Sequence, residues 1–186
     1  SQVQLQKTIK IQSNQTLEQR VNAVLSNNNF SHSHVYLGDT PQILQNKLGF
    51  RDLPILMTSK HVYSDIKTKG EAQNENRYDG NFHYHGLGKD SFVNAIKALK
   101  NPDFILKSTN DPNNLRVAIG VSWIVNQKRN NALIAIQPEG SGYYQKIEVE
   151  SNIGLSAYEK DHLSNFFRLF LSSASYPKRN NPLNTG

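Results

Sequence analysis

Residues 52–61 read Asp-Leu-Pro-Ile-Leu-Met-Thr-Ser-Lys-His, an apolar run that changes abruptly into polar residues. The apolar part predicts a buried segment, and Ser59 is a suitable N-cap for a short helix over 60–66. Lys60 and His61 would then lie in the first turn of this helix, where free backbone N–H groups favour an anion. The stretch therefore predicts a cation and an imidazole at the start of one helix.

Residues 83–86 read His-Tyr-His-Gly and follow a polar, Gly- and Asn-containing loop. Imidazole is the side chain whose charge changes near neutral pH, so a histidine pair beside a lysine suits proton transfer around a phosphate or carbonyl. We expect His61 and His85 to form that pair, with Lys60 as the cation. His83 lies two positions from His85 and is an alternative member of the pair.

The composition limits the class of protein. The chain has 186 residues, which suits one domain, and 37% hydrophobic residues, enough for a core. It has no cysteine, which excludes disulfides and thiolate metal sites. No apolar run approaches the roughly 20 residues of a membrane span, and the first residues lack a signal-peptide pattern.

The net charge of the chain is +6. A basic surface favours an anionic partner such as RNA or an acidic protein. The alternative is a lysine-rich surface that only keeps the protein soluble, since no run of consecutive basic residues marks a nucleic-acid tail.

Periodicity predicts helices in the first half of the chain. Besides the helix over 60–66, apolar residues at helical spacing and capping residues predict helices over 17–25, capped by Thr16, over 41–48, capped by Thr40 and closed by Gly49, and from Asp90 to the Asn101-Pro102 pair. Alternation permits a strand over 3–11 and a short strand over 35–38.

The pattern changes to that of strands after residue 103. Strands are predicted over 104–106, 115–125, 132–136, 143–149 and 174–176, with turns at 128–131 and 138–142 and a helix over 159–171. Short connections of this kind are typical of an antiparallel meander. The order predicts an α+β fold, with N-terminal helices packed on an antiparallel sheet of four to five strands. Residues 1–34 would be an extension or linker with a short helix, 35–178 the domain, and 179–186 a flexible tail.

A series of short motifs carries a resemblance to a known family. In order, they are Tyr36-Leu37-Gly38-Asp39-Thr40-Pro41, Leu48-Gly49-Phe50, Leu53-Pro54-Ile55-Leu56-Met57, Ser59-Lys60-His61, His85-Gly86-Leu87, Asn101-Pro102, Ser108, Asn152-Ile153, Ser156-Ala157-Tyr158 and Ser175-Tyr176-Pro177-Lys178. This order resembles the C-terminal domain of MuF-type phage head proteins and related polymorphic toxins. Those domains are grouped with barnase, EndoU, the tRNase colicins and RelE as metal-independent ribonucleases.

The resemblance implies a barnase/EndoU/RelE-like toxin domain that cleaves RNA by attack of the 2′-OH, needs no cofactor, and uses histidine acid/base catalysis. Its active-site positions map onto Lys60, His61, His85, Ser156 and Tyr158. Substrate-binding roles are expected for His83, Arg116 and Tyr176. The resemblance also implies RNA, with tRNA among the candidates, as substrate, an acidic cognate immunity protein as partner, no membrane partner, and secretion or phage delivery into the cytoplasm of a target cell.

Two other interpretations remain open. His61, His83 and His85 would supply three nitrogen ligands to a zinc ion in a hydrolytic site, although no HExxH motif is present. The domain could also be a phage structural or interaction module that kept the fold without the activity. A different toxin chemistry, such as ADP-ribosyl transfer, is not supported by any nucleotide-binding motif.

Overall fold

The structure, a computed structural model, describes residues 9–27, 29–67, 87–107, 113, 115–159 and 174–177, with the backbone alone at 159 and 174–177. Within these residues the helices are α1 (Leu17–Asn22), α2 (Gln42–Leu48), α3 (Ser59–Ile66) and α4 (Lys89–Lys97), with 3-10 turns at Ala23–Ser26 and Ala98–Lys100. The strands are β1 (His34–Asp39), β2 (Pro54–Thr58), β3 (Phe104–Lys107), β4 (Val117–Val125), β5 (Lys128–Tyr144), β6 (Ile147–Glu159) and β7 (Ala174–Pro177). The protein is therefore an α+β protein, as predicted.

The described strands form one seven-stranded sheet in the order β1-β2-β6-β5-β4-β3-β7. The prediction of an antiparallel meander of four to five strands is wrong in two respects. β1 and β2 join the same sheet, and β2 runs parallel to β6 while the other neighbouring pairs are antiparallel. The reason is that alternation in a sequence identifies a strand but does not identify its neighbours.

In the long β5–β6 hairpin, the two turns that were predicted at 128–131 and 138–142 are both part of strand β5. The predicted turn at 138–142 lies inside β5, where the register with β6 shifts between Gln137 and Gly140. The chain reverses instead at Gln145 and Lys146, which both have positive φ, as a two-residue hairpin turn requires. Residues 128–131, predicted as a turn, likewise begin β5, because the β4–β5 turn lies at 126–127.

The helix ends follow local chemistry only in part. Thr16 caps α1 in a capping box with Gln19, and Gly49 ends α2 with a φ of 69°, so both predictions are confirmed. The predicted N-caps Thr40, Ser59 and Asp90 are wrong, because the helices begin after Pro41, Thr58 and Gly88. The hydroxyl groups of Thr40 and Ser59 instead make contacts with distant residues. Thr40 Oγ1 donates a hydrogen bond to Leu53 O, and Ser59 Oγ lies 2.7 Å from Ser33 Oγ.

The four helices pack on one face of the sheet, here called the helix face. Their fully buried side chains join inward residues of the strands in one main core cluster, which includes Val21, Leu44, Val62, Phe92, Val35, Ile55, Ile119, Ile134 and Ala157. α1 contributes to this core, so residues from 17 onward pack together with the predicted domain that starts at 35.

The opposite face of the sheet carries two smaller clusters. One, the hairpin cluster, packs Tyr144 of the long hairpin against Ile11, Tyr36, Leu56 and Val149. The other consists of Leu106, Ala118 and Leu133, with Phe104 and Tyr158 packed against it. The hairpin cluster arises because the outer part of the β5–β6 hairpin comes close to β1.

Several predictions involve residues outside those described. Residues 1–8 and 179–186 lie outside, and residues 9–13 form no strand. Glu159 ends β6 and so does not begin the predicted helix over 159–171, whose remaining residues lie outside as well. None of the described helices is long and apolar enough to cross a membrane.

Candidate functional site

Lys60 and His61 lie side by side in the first turn of α3. β2 ends at Thr58, whose hydroxyl accepts a hydrogen bond from the His61 N–H at 3.2 Å and so starts the helix. Val62 and Ile66 turn into the main core. Lys60 and His61 occupy the remaining surface of the helix and are both exposed.

The surroundings of His61 favour its neutral form. Protein atoms around the ring remove part of its hydration, which lowers the pKa of His61 from its ordinary value of 6.5, and the neighbouring Lys60 ammonium lowers the pKa further. A neutral imidazole can accept a proton at neutral pH. His61 is therefore suited to act as a general base, beside a cation that can attract a phosphate.

His83 and His85 lie outside the described residues. The chain re-enters the described part at Leu87, which is buried in the main core. The next residue, Gly88, donates its N–H to the carbonyl of Asp65 at 3.2 Å. The described chain therefore resumes beside the last turn of α3.

Ser156 and Tyr158 lie on the opposite face from α3. Ala157, between them, belongs to the main core under the helices, so its two neighbours in the strand point the other way. Tyr158 pairs with Leu133 across the β5–β6 ladder and packs in the cluster that also contains Phe104. Both side chains therefore point away from the face of the sheet that carries α3.

The two remaining predicted residues belong to other strands of the sheet or directly precede one. Arg116 is exposed and directly precedes β4. Tyr176 pairs with Ile105 in the β3–β7 ladder at the far edge of the sheet, and its side chain is not among those described. Of the predicted site residues whose side chains are described, only Lys60 and His61 are brought together.

Asp65 is a buried carboxyl group that the sequence reasoning did not single out. Asp65 is 1% exposed, and its Oδ2 accepts a hydrogen bond from the Ala157 N–H at 3.2 Å. Burial raises the pKa of Asp65 well above its ordinary value, and the bond from Ala157 opposes this shift. The available signal was its position between Val62 and Ile66 on the apolar face of the predicted helix.

His34 was also missed, because it lies in the stretch 1–34 that was predicted to be an extension or linker. It lies in β1, half-buried, and its Nδ1 accepts a hydrogen bond from the Tyr143 N–H at 3.0 Å. Burial lowers the pKa of His34 from its ordinary value of 6.5. Only the long hairpin brings Tyr143 to this position, 109 residues away along the chain.

An open cavity of about 240 Å³ adjoins both His34 and the start of α3. Its wall includes Ser59, the residue directly before Lys60 and His61. The other walls come from the turn after α1, from β1, and from the tip of the long hairpin. The cavity therefore adjoins the residue that begins α3, and Lys60 and His61 are not among its lining residues.

No cluster of three or more His, Cys, Asp or Glu side chains suited to a metal ion occurs among the residues that the structure describes. The zinc interpretation requires His61, His83 and His85, two of which lie outside them. It stays a prediction.

The chain matches no known family model, and a search for similar curated proteins and solved structures likewise gives no match.

Proposed function

We propose that the domain is a metal-independent endoribonuclease whose catalytic centre is built on the first turn of α3. The observation that carries the proposal is the exposed pair of Lys60 and His61, in which the imidazole has a lowered pKa and the ammonium lies next to it. The basic net charge of +6 and the resemblance to toxin nucleases support the same substrate class.

In this mechanism, His61 accepts the proton of a ribose 2′-OH, and the 2′-oxygen attacks the adjacent phosphorus. The bond from phosphorus to the 5′-oxygen breaks, and a general acid protonates the leaving 5′-oxygen. Lys60 offsets the negative charge that builds up on the phosphorane. His85 is the proposed acid, with His83 as the alternative.

Ser156 and Tyr158 receive no role at this centre, because they face the other side of the sheet. The proposal therefore reduces the catalytic set to Lys60, His61 and one histidine of the 83–86 segment. A toxin of this type would be paired with an acidic immunity protein, which electrostatic complementarity to a basic domain favours.

The test is cleavage of total RNA in EDTA by the wild type and by His61→Ala. A positioned base contributes about 10²–10⁴-fold, so we expect a loss of that size in the variant. His32→Ala is the matched control, since it removes another exposed histidine that is not part of the site. Absence of cleavage by the wild type, or equal losses in both variants, would contradict the proposal.

The pH dependence of kcat/KM gives an independent measurement. Because the pKa of His61 is lowered, the acid limb should have its midpoint below 6.5. Lys60→Gln removes one of the two causes of the shift, so the midpoint should move to higher pH whatever happens to the rate. An unchanged midpoint would argue against His61 as the base.

The second candidate is a non-catalytic interaction domain of a phage particle. The separation of the predicted groups between the two faces of the sheet favours this candidate. It predicts a folded domain that neither cleaves RNA nor inhibits growth on expression. Activity lost in EDTA and restored by zinc would instead support the zinc interpretation.

A further inference from the structure

The cavity beside α3 has the chemistry of a site for a flat, polar heterocycle. Its lining residues include two tyrosines and a cation, Tyr36, Tyr144 and Arg20, and the polar residues His34, Ser59 and Gln145. Such walls combine planar surfaces for stacking with donors and acceptors for the edge of a ring. Single-stranded RNA bases are recognised in this way, by stacking on aromatic or guanidinium planes and by hydrogen bonds to their edges.

The planar groups of the cavity are held in place by contacts within the protein. The guanidinium carbon of Arg20 lies 4.8 Å from the centre of the Tyr36 ring, and Arg20 also donates hydrogen bonds to Tyr36 O and Gln15 O. The Tyr144 ring meets Tyr36 edge-on, with 6.3 Å between centres. Groups fixed in this way lose little conformational entropy when a ligand binds.

His34, one of the polar residues that line the cavity, has a hydrogen-bond donor whose position on the ring can be assigned. His34 Nδ1 accepts the Tyr143 N–H, so in the neutral ring the proton lies on Nε2. A neutral His34 is a hydrogen-bond donor at Nε2 and adds no charge. This combination suits a carbonyl oxygen or ring nitrogen of a base better than it suits a phosphate.

We propose that this cavity is the subsite for one base of a single-stranded RNA, next to the phosphate that Lys60 and His61 act on. The inference rests on the proposed function for its substrate, and on Ser59 for its location, because Ser59 both lines the cavity and precedes the catalytic pair. The subsite gives the enzyme a preferred base on one side of the bond that is cut.

Binding is tested with the four ribonucleoside 3′-monophosphates, using inorganic phosphate as a second probe. Tyr144→Leu keeps an apolar side chain in the hairpin cluster but removes the ring, so nucleotide binding should weaken by about 5- to 150-fold, the range for one base–aromatic stack. Tyr158→Leu is the matched control, since it makes the same change at a tyrosine that packs in the other small cluster and does not line the cavity, and it should leave binding within twofold. Inorganic phosphate should not displace the nucleotide from the cavity.

A measurement on the wild type avoids any folding defect of the variants. In an NMR titration, the ring signals of His34, Tyr36 and Tyr144 should shift together with one binding constant. Shifts that map elsewhere, displacement by inorganic phosphate, or equal effects of the two tyrosine variants would overturn the subsite.

Cleavage separates this inference from the proposed function. If the wild type cleaves RNA but Tyr144→Leu leaves kcat/KM and base preference unchanged, the subsite is refuted and the nuclease stands. If nucleotides bind and Tyr144→Leu abolishes binding while no RNA is cleaved, the subsite stands and the nuclease is refuted.

Discussion

His34 shows how the protein changes the properties of a single residue. Its ring is half-buried at the edge of the sheet, and its Nδ1 accepts a hydrogen bond from the backbone N–H of Tyr143. Protonation would place a charge in this partly dry position and would disrupt that bond, since both nitrogens of a charged imidazole are donors. The pKa of His34 is accordingly lowered from 6.5.

This lowered pKa predicts a pH-dependent stability. Below pH 6.5 the unfolded chain binds a proton at His34 before the folded protein does, so the free energy of unfolding falls as the pH falls. The slope approaches about 1.4 kcal/mol per pH unit for one proton. Urea unfolding between pH 7.5 and 5.5 should show this loss in the wild type.

His34→Gln should have a smaller loss over the same range, while His32→Gln, at an exposed neighbouring histidine, should keep that of the wild type. His61 also has a lowered pKa and accounts for part of the loss that remains. Identical pH dependence in all three proteins would show that His34 does not contribute.

The contact between α3 and β6 is the main feature at the scale of elements. β2 pairs with β6 from Ile55 to Met57, so beyond Gly154 no strand of the described part of the chain lies beside this edge of β6. α3 follows β2 directly, and Asp65 on its buried side accepts the Ala157 N–H. A side chain thus replaces the carbonyl that a longer β2 would have supplied.

Substitutions at Asp65 should separate its hydrogen bond from its charge. The raised pKa means that the folded protein holds the proton more tightly, so this residue's contribution to stability is present below about pH 3.8 and is lost as the pH rises. Asp65→Asn keeps an oxygen for Ala157 without the ionisation, and should be more stable than the wild type at pH 8, with a difference that shrinks toward pH 4.

Asp65→Ala leaves the buried Ala157 N–H without this acceptor and should cost about 1–3 kcal/mol. Thermal unfolding of the three proteins at pH 4, 6 and 8 measures both effects. A destabilised Asp65→Asn at pH 8 would contradict the view that ionisation of the carboxyl group opposes folding.

At the scale of the whole molecule, Asn152 joins three distant parts of the chain. It is fully buried, and its amide nitrogen donates to Thr40 Oγ1 at 2.7 Å and to Arg51 O at 3.2 Å. Its oxygen accepts the Glu139 N–H at 3.1 Å, at the register shift in β5. The residue therefore connects the loops around α2 to the long hairpin.

Asn152→Ala should lower the free energy of unfolding by about 2–4 kcal/mol, because it leaves buried polar groups on both sides without their partner. Ser151→Ala is a matched control at the adjacent, equally buried residue. The Ser151 hydroxyl has no hydrogen-bond partner among the described residues, so its removal should be neutral or stabilising. Urea unfolding of the two variants checks this contrast, and equal losses would contradict it.

The local features of this protein could be predicted from the sequence. Apolar spacing located the helices and most strands, and Thr16 and Gly49 fixed two helix ends through their own side-chain and backbone chemistry. The exposed pair of Lys60 and His61 also followed from local chemistry, since the start of α3 is set by residues adjacent in the chain.

The tertiary structure decided which faces these elements present. Leu155 is an extra residue in the β5–β6 ladder, because Ala135 pairs with Ser156 while Ile136 pairs with Gly154. One extra residue exchanges the two faces of the strand beyond it, which turned Ser156 and Tyr158 away from α3. The neighbours of His34 and Asp65 were decided in the same way, because those contacts join residues about a hundred positions apart, and a local pattern carries no information about such distant pairings.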